Sequence, residues 1–156
     1  IQGDEPFLNP IDLEKAIDVI KNHQNAAIST LVTPFTEEVD FENPNMVKAV
    51  MAKSGQVLYF SRAPIPYHRS HGFQDGSSAM TYRHLGLYIY RREALERFCS
   101  LPPSDLERLE CLEQLRALED NISIHAVVVK SAPIGIDTPE DLTRLSHFLS
   151  QKSMAR

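Results

Sequence analysis

Two short acidic loops, one near each end of the chain, carry the side chains best suited to chemistry. In the first, Asp4 lies between Gly3, which frees the backbone, and Pro6, which cannot continue a sheet. This pattern predicts a turn just past the end of a strand, which is the edge where ligands bind in open α/β sheets. Taken alone, however, an aspartate in such a turn is most often a solvated turn residue.

The second loop, residues 135–141, repeats this construction and strengthens the case for ligand binding. Thr138 is suited to cap a helix and Pro139 to begin it, and the two acids that follow favour the helix dipole. Asp137 lies just outside the cap, so capping does not explain it. We therefore interpret Asp137 as free to bind a ligand, and Asp4 as its counterpart in the first loop.

Further polar candidates lie at or after strands. Arg62 directly follows a strand predicted over 56–60 and could present a bidentate guanidinium to a carboxylate or phosphate, or form a surface ion pair. In a strand over 84–90, His84 and Tyr88 share one face, and Gly86 between them leaves space. That face is interpreted either as a row facing a ligand or as structural.

A carboxylate within an apolar helix is the last candidate. The capping box at Ser104 predicts one helix through Glu119, with leucines forming a broad stripe. Glu113 projects into that stripe, where an unpaired charge is costly. Either it pairs with Arg116, one turn on, or it contacts a polar ligand together with Gln114.

The remaining chain supplies the elements that must position these residues. Helices are predicted from Asn9 to near Asn22, over 91–98 and from Thr138 onward. Strands are predicted over 26–32 and 122–129, besides the two named above. Residues 35–45 are predicted as loop, and residues 46–51 remain ambiguous between helix and strand. Residues 61–83 show no sustained periodicity of apolar residues and are interpreted as a long loop.

Bulk properties restrict the class of protein. A chain of 156 residues forms one domain, here residues 1–156, and its net charge of −5 argues against non-specific nucleic-acid binding. No apolar run approaches the ~20 residues of a membrane span and no signal peptide is evident, so we expect a cytoplasmic protein. Cys99 and Cys111 lack the spacing of a metal site and are predicted to be buried thiols.

The opening residues lack the apolar strand that should lead into the first acidic loop. We expect either packing that the sequence does not reveal or a longer protein.

Five segments, taken in order, resemble one family. They are residues 2–6 (QGDEP), 61–66 (SRAPIP), 83–88 (RHLGLY), 112–116 (LEQLR) and 135–142 (GIDTPEDL). In this order they resemble the 3-deoxy-manno-octulosonate cytidylyltransferases, or CMP-Kdo synthetases. The family's N-terminal strand and its nucleotide loop with glycine, arginine and lysine have no counterpart here.

The resemblance implies a three-layer α/β/α sandwich of the nucleotide-diphospho-sugar transferase type, with a mixed, mostly parallel sheet and truncated at its N-terminus. The chain is then the C-terminal part of a nucleotidyltransferase domain. The implied reaction transfers a cytidylyl group from CTP to Kdo (3-deoxy-manno-octulosonate), giving CMP-Kdo and pyrophosphate for lipopolysaccharide assembly. The implied partner is a second copy, in a homodimer involving the loop after Pro66 and the His84 strand.

The resemblance also assigns roles to residues. Asp4 and Asp137 are implied to be catalytic and to hold Mg²⁺, which proteins usually bind through one or two carboxylates plus substrate phosphates. The implied residues of the sugar-acid pocket are Gln2, Arg62, His84, Tyr88, Glu113 and Gln114. Two alternatives stay open: a cytidylyltransferase for another sugar acid such as acylneuraminate, and an inactive sugar-binding or dimerising fragment.

Overall fold

The computed structural model describes residues 9–67, 69 and 81–130. Within them the chain forms five helices and five strands. In chain order these are α1 (Pro10–Asn22), β1 (Ile28–Pro34), α2 (Glu38–Glu42), β2 (Lys48–Met51), β3 (Val57–Ser61), β4 (Thr81–Tyr90), α3 (Arg92–Ser100), α4 (Asp105–Glu110), α5 (Gln114–Glu119) and β5 (Ile124–Val128). Gln2, Asp4, Asp137 and the helix predicted from Thr138 lie outside the described residues.

The strands form one mixed sheet in the order β3-β2-β4-β1-β5. Strands β1 and β5 are parallel, and the other three neighbouring pairs are antiparallel. The sheet also curls, so that the turn before β3 reaches β5: Ala126 N donates to the Gly55 carbonyl at 2.9 Å, beside an isolated bridge between Gln56 and His125. The predicted mixed α/β sheet is thus confirmed. The expectation that it is mostly parallel is wrong for the described strands, because β2, β3 and β4 pair antiparallel with their neighbours and only β1 and β5 pair in parallel.

Helices cover both faces of this sheet and bury two apolar clusters. Ala16 of α1 packs on one face, on a cluster that includes Leu85 and Leu87 of β4. The opposite face carries the larger cluster, in which Phe60 of β3 meets Leu115 of α5. The leucines of β4 thus point away from the side on which Tyr88 packs, which confirms the alternation predicted for this strand.

The helix predicted from Asn9 is confirmed as α1. The Asn9 side chain accepts a hydrogen bond from Ile11 N at 3.0 Å, and Pro10 occupies the first helical position, where its missing N–H costs nothing.

The loop predicted over residues 35–45 is wrong in its middle, where α2 forms. Most of its acidic residues are exposed, but Phe41 is buried and meets Phe35 edge to face, with ring centroids 5.5 Å apart. Burial of Phe41 thus helps to hold a helical turn that the composition disfavours. The ambiguous segment 46–51 contains strand β2.

The single helix predicted over 104–119 is also wrong, because the chain breaks it in two. The predicted capping box does form, between Ser104 and Glu107. Cys111 then adopts the left-handed conformation (φ 51°, ψ 48°), which ends α4 and redirects the chain before α5. As a result Leu109 is 80% exposed rather than part of an inward stripe.

The prediction that both cysteines are buried is wrong as well. Cys99 and Cys111 are free and exposed, because Phe98 and Leu112 beside them take the inward positions. None of the helices in the described ranges is long and apolar enough to cross a membrane.

Candidate functional site

A bulge in β4 shapes the part of the sheet where the predicted polar residues meet. Thr30 of β1 is opposite Tyr88, and Val32, two residues later, is opposite His84. Four residue steps along β4 therefore lie opposite two residue steps along β1. Gly86 lies within this bulge at φ +63°, a conformation that glycine adopts without a steric penalty. The rings of His84 and Tyr88 are therefore 5.2 Å apart, whereas residues four apart in a regular strand are separated by about 13 Å.

The aromatic row on this face is electrically neutral at neutral pH. Burial lowers the pKa of His84 to about 3. Burial, with the neighbouring Tyr90 and Glu113, raises the pKa of Tyr88 well above its usual value. Burial and the charge of Glu113 raise the pKa of Tyr90 to about 12. The row thus offers an uncharged imidazole and two protonated hydroxyls.

Glu113 and Gln114 follow the left-handed Cys111 and lie beside this row. Glu113 is exposed, and its side chain makes no hydrogen bond or ion pair within the described residues, although its charge acts on the Tyr88 and Tyr90 hydroxyls. Gln114 is only 5% exposed, yet its side-chain amide has no partner among these residues either. Within the described part of the chain, both side chains are therefore available to bind a ligand.

The alternative pairing of Glu113 with Arg116 is wrong. Arg116 instead forms a bidentate pair with Glu107, with N–O distances of 2.5 and 2.7 Å, because the break at Cys111 turns α5 back toward α4. This pair holds the two short helices together and leaves Glu113 unpaired.

Arg62 lies on the other side of the α4–α5 turn and donates to three main-chain carbonyls. Its Nε reaches Glu110 O at 2.8 Å, Nη1 reaches Pro44 O at 3.1 Å, and Nη2 reaches Cys111 O at 3.2 Å. The surface ion pair considered for Arg62 is not what its guanidinium makes. Each terminal nitrogen keeps one further N–H, so contact with a ligand carboxylate stays a prediction.

A buried lysine, which the sequence analysis missed, binds the main chain of Arg62. Lys48 is fully buried in β2, and its Nζ donates to the carbonyls of Arg62 and Asn43 at 2.9 and 2.8 Å. Burial lowers the pKa of this amine. A cation within the short apolar segment 46–51 was the available signal, since a buried charge requires partners.

The structure therefore brings together His84, Tyr88 and Glu113 among the predicted site residues, and Gln114 follows Glu113 in the chain. Tyr90 belongs with them although it was not named for the site, and Arg62 binds main-chain carbonyls at the α4–α5 turn. The predicted metal ligands cannot be placed, and within the described ranges no group of three or more histidine, cysteine or acidic side chains could hold a metal. The assembled groups are suited to bind a neutral, hydroxyl-rich ligand.

The fold agrees with what comparison of the chain shows. The chain belongs to the cytidylyltransferase family, whose model matches residues 1–124.

Within that family the chain is similar to 3-deoxy-manno-octulosonate cytidylyltransferases. It is 46% identical over 145 residues to that of Thermodesulfovibrio yellowstonii, covering 91% of this chain and 56% of the relative. It is 41% identical over 153 residues to that of Protochlamydia amoebophila, covering 98% of this chain and 58% of the relative.

A solved structure confirms the fold. The structure of CMP:2-keto-3-deoxy-manno-octonic acid synthetase complexed with CTP matches with a TM-score of 0.87 and 34% sequence identity. The match covers 97% of this chain and 61% of that one. The chain thus spans about three fifths of the length of the proteins it matches.

Proposed function

We propose that this chain is the sugar-acid-binding, C-terminal part of a 3-deoxy-manno-octulosonate cytidylyltransferase. The whole protein transfers a cytidylyl group from CTP to Kdo and releases pyrophosphate. Relatives of that name support the proposal, as does a structural neighbour complexed with CTP. The proposed setting is cytoplasmic synthesis of CMP-Kdo for lipopolysaccharide.

One structural observation carries the proposal: a group of polar side chains that keep hydrogen-bonding atoms without a partner among the described residues. His84, Tyr88, Tyr90, Glu113 and Gln114 offer both donors and acceptors, and their only net charge is the carboxylate of Glu113. Such a set favours the hydroxyl groups of a sugar over a phosphate, because the carboxylate repels anions. The carboxylate of the sugar acid would be held apart from Glu113, and we assign this role to the two remaining N–H groups of Arg62.

The proposed reaction is an in-line displacement at phosphorus. The anomeric hydroxyl of Kdo bonds to the α-phosphorus of CTP and loses its proton, while the bond to the departing pyrophosphate breaks. The residues described here would orient the sugar acid, and Gln2 is assigned to the same pocket. Positioning of this kind accounts for much of the catalysis in phosphoryl transfer.

Asp4 and Asp137 are proposed to hold Mg²⁺ for this reaction. Two separate aspartates fit the ion, which is usually bound by one or two carboxylates together with substrate phosphates. When bound, Mg²⁺ would polarise the phosphoryl oxygens and screen the triphosphate from an acidic protein.

Calorimetry with separate ligands tests the proposal. We expect Kdo to release or absorb heat with this chain, and N-acetylneuraminate to bind at least about tenfold more weakly. Equal or tighter binding of N-acetylneuraminate would assign the chain to the other sugar acid. Binding of Kdo without Mg²⁺-dependent binding of CTP would restrict activity to a longer protein that carries the nucleotide loop.

The metal assignment has its own test in the active, whole protein. Asp4→Asn or Asp137→Asn should abolish turnover and leave the midpoint of urea unfolding unchanged. Near-normal activity in either variant would show that the metal assignment is wrong.

A further inference from the structure

Thr30, a buried residue in the middle of β1, makes two hydrogen bonds that bear on the candidate site. Its Oγ1 lies 2.6 Å from the carbonyl oxygen of Leu87 and 2.9 Å from Nε2 of His84. The Leu87 carbonyl belongs to the bulge of β4 described above, and His84 lies at the other end of that bulge. Thr30 thus connects the irregular backbone of β4 to the imidazole.

The direction of both hydrogen bonds follows from a count of hydrogens. Two oxygens 2.6 Å apart need a proton between them, and a carbonyl has none to give, so the hydroxyl of Thr30 donates to Leu87. A hydroxyl has a single hydrogen, so toward His84 it can only accept. The contact at 2.9 Å therefore requires the ring proton on Nε2 of His84.

The other ring nitrogen of His84 is left as an acceptor. The ring is neutral, because burial lowers its pKa to about 3, so Nδ1 carries a lone pair. Among the described residues nothing donates to Nδ1, and it is not one of the fully buried atoms that lack a partner. Phe60 and Tyr88 hold the ring, with centroids 4.8 and 5.2 Å from it, and so restrict its rotation.

We propose that Thr30 is a positioning residue that locks His84 in its Nε2–H tautomer, so that Nδ1 accepts a hydrogen bond from a hydroxyl group of the substrate. The part concerning the substrate rests on the function proposed above. The part concerning the tautomer does not, because it depends only on Thr30, Leu87 and His84.

Nitrogen-15 NMR of the histidine-labelled chain at neutral pH tests the tautomer directly, with His84→Gln identifying the His84 signals. The wild-type chain should show the proton on Nε2, and Thr30→Ser, which keeps the hydroxyl, should show the same. Thr30→Val should give a mixture of tautomers. A proton on Nδ1 in the wild type, or an unchanged tautomer in Thr30→Val, would overturn the proposal. The wild-type result does not depend on whether either Thr30 variant folds.

Calorimetry with Kdo tests the second half. We expect Thr30→Val to weaken Kdo binding about tenfold and Thr30→Ser to restore it to within about twofold of the wild type. A shifted tautomer with unchanged affinity would overturn the role of Nδ1. If the wild-type chain itself does not bind Kdo, the proposed function fails, while the NMR result still decides the role of Thr30.

Discussion

Among the site residues, Glu113 is the one whose chemistry the structure changes most. A carboxylate expected within an apolar stripe is instead exposed and unpaired, beside two tyrosine hydroxyls whose pKa values its charge helps to raise. The nearby Glu107 has the opposite situation, since Arg116 binds it in a bidentate pair and lowers its pKa. The two glutamates therefore provide a matched test of function against stability.

We expect Glu113→Gln to weaken Kdo binding about tenfold, because it replaces a charged hydrogen-bond acceptor with a neutral one. Its free energy of unfolding should change by less than about 0.5 kcal/mol, since the side chain has no partner among the described residues. In Glu107→Gln we expect a loss of about 1–3 kcal/mol of stability and little change in affinity. Calorimetry and urea unfolding measure the two effects. The reverse pattern would place the binding carboxylate at Glu107.

The lowered pKa of the partly buried His84 imidazole predicts a stability that depends on pH. An unfolded chain takes up a proton on this residue as pH falls below 6.5, whereas the folded chain does so only near 3. Stability should therefore be full above pH 6.5 and decline as pH falls toward 3, by up to about 1.4 kcal/mol per pH unit.

Urea unfolding between about pH 7.5 and about pH 5 checks this prediction, because few carboxylates titrate in that window. In His84→Gln the slope should become smaller. Among the described residues His125 contributes to what remains, because its pKa is also lowered by burial and by His23. A midpoint that does not move with pH in the wild type would contradict the assigned pKa.

At the scale of elements, the bulge of β4 does most to assemble the site. Gly86 lies at φ +63° within it, and Gly55, remote from the site in the turn before β3, lies at φ +85°. Alanine at either position forces a side chain into the left-handed region, at a cost of about 1–2 kcal/mol.

We expect Gly86→Ala and Gly55→Ala to lose similar stability in urea unfolding. Only Gly86→Ala should also weaken Kdo binding, by about tenfold, because the close approach of His84 and Tyr88 depends on the bulge. If Gly55→Ala weakens binding equally, or Gly86→Ala leaves it unchanged, the bulge is not what shapes the pocket.

Local sequence signals predicted the elements whose own residues decide them. Asn9 and Pro10 fixed the start of α1, and the alternation in β4 fixed which side faces the core. The break at Cys111 could not be predicted in this way, because the Cys111 carbonyl is bound by Arg62, which is distant in the chain. Likewise the bulge of β4 depends on its pairing with β1, which is distant in the chain.

The candidate site was predicted in part, for a similar reason. Strand alternation placed His84 on the same face as Tyr88, but not its close approach, which the bulge produces. Glu113 was singled out as a carboxylate in an apolar stripe, although the structure leaves it exposed. The partners of Arg62 could not be found from the sequence, because they are main-chain carbonyls, which every residue type carries. Family resemblance supplied the assignments for Gln2, Asp4 and Asp137, which stay predictions.

At the scale of the whole molecule, exposed apolar side chains near one sheet edge favour the predicted homodimer. Strand β3 is terminal in the order of the sheet, and on it Leu58 is 55% exposed, while Tyr67 in the loop after Pro66 is 87% exposed.

We expect sedimentation to show a dimer and Leu58→Glu to weaken it at least about tenfold, because a charge is costly to bury in an interface. Val39→Glu is the matched control. Val39 is 73% exposed but lies on α2 rather than on β3, and its substitution should leave the dimer intact. A wild-type monomer at all concentrations, or equal effects of both variants, would contradict this interface.

The curl that brings Gly55 against Ala126 also affects solubility. Strand β5 is terminal in the sheet order, and an open row of amides there would invite another chain to add as a further strand. The turn before β3 occupies part of that row, since it accepts the Ala126 amide proton. The contact between Gly55 and Ala126 therefore also makes the edge of β5 less able to pair with another chain and aggregate.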